Sequence, residues 1–231
     1  IIAVSEFTRS EVIRRYGIEP GRVYTVHHGI DATLIESPFT PEEKLRDAID
    51  MHRPFVLSVG SIFERRYPHE MIAAFRHLAD LDIGLVIVGD DRRRNPGDLN
   101  AKIAEFGLSD RVRWLRYADQ ADVLGLYRAA EALIYLSAYE GFGLPPLEAM
   151  SFGLPAIVSA RGALLEVYGD SAELVRNETP EAIAAAVRRV VENSGNRAEL
   201  VKRGSELVGR LTLRRCAERT LSILRAAGGM R

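Results

Sequence analysis

Short apolar runs alternate with stretches of helical periodicity along almost the whole chain. The runs Ile1–Val4, Val23–Val26, Phe55–Val59, Gly84–Val88, Val112–Leu115, Ala132–Leu136, Ala156–Ser159 and a short Ala172–Val175 predict strands. Between them Thr8–Tyr16, Pro68–Leu78, Asp98–Phe106, Asp119–Ala130 and Pro145–Phe152 read as helices. From Thr179 to about Ala227 the pattern is helical in two or three pieces, broken near Gly195 and Gly209. Thr8 with Glu11, and Thr40 with Glu43, have the spacing of capping boxes, and Thr179 before Pro180 reads as another helix start.

The strands are rich in Val, Ile and Leu and alternate little with polar residues, which predicts a parallel sheet covered on both faces. The fold class expected is α/β, a Rossmann-like doubly wound parallel sheet. Ligands of such sheets bind outside the carboxyl ends of the strands. The loops expected there are Gly60–Tyr67, Gly89–Gly97, Arg116–Gln120, Ala138–Leu144 and Ala160–Ala163. Ser37-Pro38-Phe39-Thr40-Pro41 looks like a linker. It divides the chain into residues 1–35, the remnant of a preceding domain; 36–53, a linker and short helix; 54–208, the intact domain; and 209–231, a carboxyl-terminal helix. The start, Ile1-Ile-Ala-Val4, reads as the middle of a domain, so a fragment of a longer protein is expected.

Composition narrows the function mainly by exclusion. The 231 residues are enough to bury a sizeable core, and 47% hydrophobic with 27% charged is ordinary for a globular chain. A formal net charge of −1 gives no general attraction to nucleic acid or to anionic membranes. Cys216, the single cysteine, permits no internal disulfide and suits a reducing compartment; a structural thiol is the plainer reading. No apolar run approaches the roughly 18 residues of a membrane span.

The candidate chemistry centres on Glu140-Gly-Phe-Gly-Leu-Pro-Pro-Leu-Glu148. A strand leads into a glycine turn and then into a helix whose first turn tolerates Pro145 and Pro146 and whose N-terminus favours anions. By spacing alone, Glu148 could be an ordinary first-turn glutamate and Glu140 a surface residue. A second segment, Gly60-Ser61-Ile-Phe-Glu-Arg65-Arg66, follows the strand Phe55–Val59 and could offer two guanidinium groups to a diphosphate; the alternative is a solvated basic turn. Other motifs fail. Pro146 stands where the dinucleotide fingerprint needs its third glycine, and no Walker-type Gly-Lys-Ser/Thr exists. Asp90-Asp91 runs straight into Arg92-Arg-Arg94 and reads as a solvated loop rather than a magnesium site. His27-His28-Gly29 lacks metal-ligand spacing and reads as a strand-end turn.

With these residues in view, the chain resembles the carboxyl-terminal, donor-binding domain of retaining glycosyltransferases of the GT-B fold, the "group 1" glycosyltransferase family. The resemblance runs through Leu57–Gly60 with Arg65-Arg66 and Ala73–Phe75, Leu85–Gly89, Leu126–Ala130, Tyr139–Met150, and Gly153–Pro155 with Ser159 and Glu166–Gly169. Val4–Arg9 and Val26–Asp31 resemble the end of that family's amino-terminal domain.

The resemblance implies a metal-free transfer of sugar from a nucleoside-diphosphate (NDP) sugar to an acceptor, with no cofactor. Glu148 would bind the donor's ribose, and Glu140 its sugar or the charge at the reacting carbon. The amides of Gly141, Phe142, Gly143 and Leu144 would hold sugar and diphosphate, and Gly60, Ser61, Arg65 and Arg66 the leaving diphosphate. Arg116 and Tyr117 would border the base. Ser61 departs from the arginine many members carry there. The Glu64-Arg65-Arg66 form of the loop leans towards GDP-mannose as donor. A glycan or lipid-linked acceptor would be met through an amino-terminal domain, in the cytoplasm or at the membrane surface. The crossover helix at the end of the chain would leave an apolar face for self-association. An epimerase of the same architecture and a non-catalytic nucleotide-sugar-binding module stay open.

Overall fold

A computed structural model describes residues 1–94 and 98–228. The end of the loop expected at Gly89–Gly97, and positions 229–231 of the last segment, lie outside the described residues. In chain order the elements are β1 (Ile2–Ala3), α1 (Glu6–Tyr16), β2 (Tyr24–Thr25), α2 (Glu42–Ile49), β3 (Phe55–Val59), α3 (Pro68–Ala74), β4 (Gly84–Val88), α4 (Leu99–Glu105) and β5 (Val112–Leu115). They continue as α5 (Gln120–Ala129), β6 (Ala132–Tyr135), α6 (Leu144–Ser151), β7 (Ala156–Ser159), α7 (Gly162–Tyr168), β8 (Glu173–Val175), α8 (Pro180–Val191), α9 (Ser194–Arg210) and α10 (Leu213–Gly228).

Among the described residues, β3 to β8 form one parallel sheet in the order β5-β4-β3-β6-β7-β8. The chain steps outward from β3 to β5, then returns to the other side of β3 and steps outward again to β8. The reversal point is the β3/β6 pair, registered Val56 to Ala132 and Leu57 to Leu133. Successive strand residues point to opposite faces, and the core divides accordingly. Leu57, Leu133, Tyr135 and Val158 pack with residues of α2, α5, α6 and α7. Val56, Ile87, Ile134 and Ile157 pack with those of α3, α4 and α8. This is the doubly wound, Rossmann-like sheet that the unalternating strands predicted.

Several local readings need correction. The helix α7, Gly162–Tyr168, has no counterpart in the pattern reading, although β7 and β8 are parallel and need a crossover. The cap of α1 is Ser5, which accepts from Thr8 N; Thr8 is not the cap. Thr40 does not cap α2 but donates to Asp122 Oδ1 at 2.6 Å. The last helical stretch does divide into three pieces, with breaks at 192–193 and 211–212, near Gly195 and Gly209 as expected. Thr179 does cap α8.

The pair β1 and β2, with α1 between them, stands apart from the main sheet. It docks on α7 and on the loop after β6. Ser5 Oγ and Thr8 Oγ1 donate to Gly141 O at 2.7 and 3.2 Å. Glu166 of α7 accepts the Glu6 and Phe7 amides at 2.8 and 2.7 Å and pairs with His27 Nε2 at 2.9 Å. The chain crosses from this unit to the main sheet beside its own return path. Ile30 N donates to Leu211 O at 3.0 Å and Leu213 N to Ile30 O at 3.2 Å. Gly29 permits the crossing, since a Cβ there would lie 2.1 Å from the Thr212 carbonyl carbon. No helix among the described residues is long and apolar enough to cross a membrane.

Candidate functional site

The topology selects the site before any side chain is considered. In an open parallel sheet the crevice lies at the carboxyl ends where strand order reverses, here between β3 and β6. The segments leaving those two ends are Gly60–Arg66 and Leu136–Gly143, which carry the residues singled out in the sequence.

Gly60 has φ +120°, and a Cβ there would come within 2.4 Å of Arg66 Nη1, so only glycine lets the arginine lie across the strand end. The loop is tied to the neighbouring one: Ile62 N donates to Asp90 O at 2.8 Å and Arg92 N to Ile62 O at 2.9 Å. Behind this tie sits a buried ion pair. Arg93 donates to Asp91 through Nε at 2.9 Å and Nη2 at 2.7 Å, with side-chain exposures of 1% and 3%. The expected solvated loop is therefore wrong at this pair. Guanidinium can only donate, so His69 Nε2, 2.6 Å from Arg93 Nη1, accepts.

Arg65, Arg66 and Glu140, far apart in sequence, converge. Glu140 Oε1 lies 3.3 Å from both Nε and Nη2 of Arg66 and 3.7 Å from Arg65 Nε. Arg66 Nη2 also donates to Tyr135 Oη, and its guanidinium lies over the Tyr135 ring, 4.5 Å from the centroid. Arg65 lies over Phe63 at 4.1 Å and donates to Tyr139 O at 3.2 Å.

The opposite wall is the start of α6. Gly143 precedes its first residue, and Pro145 and Pro146 occupy the first turn. Because the two prolines carry no N–H, the backbone donors at this helix start are those of Leu144 and the residues just before it. One turn further, Glu148 accepts from Tyr127 Oη at 2.8 Å. Burial pushes the Glu148 carboxyl above its ordinary range, and the Tyr127 bond partly opposes this. Arg116 and Tyr117 follow β5, two strands beyond β3 and so roughly 10 Å along the crevice. Arg116 lies over Trp114 at 4.6 Å, and Tyr117 is 83% exposed, free to stack on a planar ring. Ser61 is half-buried beside Gly60.

Three buried tyrosines beneath the crevice escaped the sequence reading. Tyr127 holds Glu148, Tyr135 meets Arg66, and Tyr168 donates to Gly143 O at 2.5 Å. Burial pushes Tyr135 up to about 12 and raises the other two well above the ordinary phenol range, so all three keep their protons. A detectable signal existed: a tyrosine at a core position must find a partner for its hydroxyl.

A larger cleft, about 630 Å³, opens behind α7, lined by His27, Glu166, Asp170, Arg176, Arg210 and Leu211. It lies beside the end of β8 at the sheet edge, away from the point where strand order reverses, and no helix N-terminus lines it, so the β3/β6 crevice is the better candidate. Among the described residues no three His, Cys, Asp or Glu side chains gather as metal ligands.

Residues 39–207 match the family model of glycosyl transferases group 1. O-antigen chain mannosyltransferase B of Escherichia coli is 28% identical over 228 residues, covering 96% of this chain and 59% of that protein. A glycosyltransferase from Rickettsia africae superposes with a TM-score of 0.86 at 20% identity, over 97% of this chain and 62% of that one. Anabaena HepE, solved in complex with UDP and glucose, gives 0.84 at 20% identity, again over 97% and 62%. The chain spans about half the length of the curated relatives it matches. The fold is that of the carboxyl-terminal half of a GT-B glycosyltransferase, and the chain belongs to the group 1 glycosyl transferases.

Proposed function

We propose that this chain is the donor-binding part of a retaining glycosyltransferase that uses an NDP-sugar. The observation that carries the reading is the convergence of two arginines, a helix N-terminus and two carboxylates on the β3/β6 reversal point. Arg65 and Arg66 neutralise the diphosphate, with the amides of Phe142, Gly143 and Leu144 completing its cradle. Glu148 binds ribose hydroxyls through the oxygen that Tyr127 leaves free. The base extends towards Arg116 and Tyr117, and Glu140 faces the sugar. Departure of the diphosphate is stabilised by fixed cations and the α6 N-terminus, so metal is not required. Front-face attack through an oxocarbenium-like transition state then retains configuration. The UDP and glucose bound to HepE support a nucleotide-sugar donor. The mannosyltransferase relative supports GDP-mannose as the first donor to try. The acceptor is assigned to the part of the relatives that this chain does not span.

Calorimetric titration with GDP, ADP and UDP, with and without EDTA, tests the reading. Binding of at least one nucleotide, unchanged by EDTA, is expected; binding of none would sink it. Arg65→Ala with Arg66→Ala should weaken the bound nucleotide by at least about tenfold, as loss of charge-assisted bonds to phosphate requires.

A further inference from the structure

Glu140 and a diphosphate draw on the same cations. A phosphate taken bidentately needs two parallel N–H groups from one edge of a guanidinium. On Arg66 the Nε/Nη2 edge is the one Glu140 occupies, at 3.3 Å to each nitrogen. The remaining nitrogen, Nη1, lies against Gly60. Nη2 is further engaged by Tyr135 Oη, and the ring face of Tyr135 covers the group, so Arg66 cannot swing away to serve a second anion elsewhere. Arg65 is likewise fixed, by Tyr139 O and Phe63, with Glu140 Oε1 3.7 Å away. Glu140 is itself only 12% exposed, so water screens the contest weakly.

We propose, resting on the donor-site reading above, that Glu140 is an internal anion which a donor's diphosphate displaces from Arg65 and Arg66. The exchange turns one event into two. Binding the diphosphate removes both cations from Glu140 and delivers its carboxylate, charged and newly unpaired, to the sugar side of the crevice. Charge on the reacting sugar is then met by a carboxylate that is strongly neutralised at other times. Because the two anions compete, each must lower the affinity of the arginine pair for the other. Glu140 therefore opposes the binding of a bare nucleoside diphosphate.

The test is Glu140→Gln, which keeps shape and removes charge, titrated calorimetrically with GDP, ADP, UDP and inorganic pyrophosphate. The variant should bind the nucleotide that wild type binds, and pyrophosphate, about two- to tenfold more tightly, the range expected for removing one partly exposed ion-pair competitor. In an Arg66→Ala background the same substitution should change affinity less than about twofold. Glu64→Gln, an equal charge change at an exposed site on the same loop, should also change it less than about twofold. Unchanged or weaker binding by Glu140→Gln overturns the exchange, as does an equal gain from Glu64→Gln. If wild type binds no nucleotide, the donor-site reading falls and takes the exchange with it. If wild type binds and Glu140→Gln gains nothing, only the exchange falls.

Discussion

Tyr127 spends its hydroxyl on one oxygen of Glu148, and that bond fixes which oxygen remains for a ligand. Tyr127→Phe should cost about 1 kcal/mol of stability, as for a lost hydrogen bond with one partner left behind, and weaken nucleotide binding several-fold. Chemical denaturation and calorimetry read the two effects separately. Glu148 also carries a conflict. Burial raises its pKa, so the native state holds the proton more tightly than the unfolded chain does. Stability contributed by the protonated form is lost as pH rises from the ordinary carboxylate range through the raised folded value. Glu148→Gln should therefore melt above wild type at neutral pH, with the gain vanishing in acid, while nucleotide binding falls. A melting series from pH 4 to pH 8 would show it, and an equal or lower melting temperature at neutral pH would refute it. At this scale the sequence exposed the charged members of the site, because Glu140 and Glu148 flank one motif and the arginines follow one strand. Tyr127 stayed hidden because its partner is brought to it by the packing of α5 against α6 on one sheet face.

Helix α7 shows what periodicity alone misses. Its seven residues begin at Gly162, stop before Gly169 and are too few for a clear 3.6-residue pattern, yet a parallel β7/β8 pair demands a crossover. The central strands β3, β4, β6 and β7 and the helices α5, α6 and α8 were legible because each buries several apolar residues. The Asp91–Arg93 pair was misread for the opposite reason, since adjacent opposite charges look solvated until neighbouring loops close over them. That pair braces the loop which braces Arg66. Asp91→Ala, which takes the carboxylate from a buried guanidinium, should cost about 3 kcal/mol in urea denaturation and weaken nucleotide binding as well. Glu166 does a similar service for α1 by accepting its first two amides. Glu166→Ala should speed hydrogen exchange at Glu6 and Phe7 while leaving β3 and β6 protected.

For the molecule as a whole, the two ends of the described chain are attached very differently. The β1-α1-β2 unit is bound to α7 and the Gly141 loop through side-chain hydrogen bonds, whereas α10 buries Ile223 and leaves Leu213, Leu221 and Leu224 exposed. Amides of α10 should exchange well before those of α9, and self-association through its leucines should appear as concentration-dependent sedimentation that Leu221→Glu with Leu224→Glu abolishes. Between these ends lies the crossing at Ile30 and Thr212, where the outgoing and returning strands touch through two backbone bonds. The first thirty or so residues are thus moored to the main sheet at two separate places, by side chains at α7 and the Gly141 loop and by backbone at the crossing, which leaves no free axis for them to swivel about. At the crossing the Thr212 backbone fills the place a side chain at position 29 would take, so sliding of the two segments is resisted there as well.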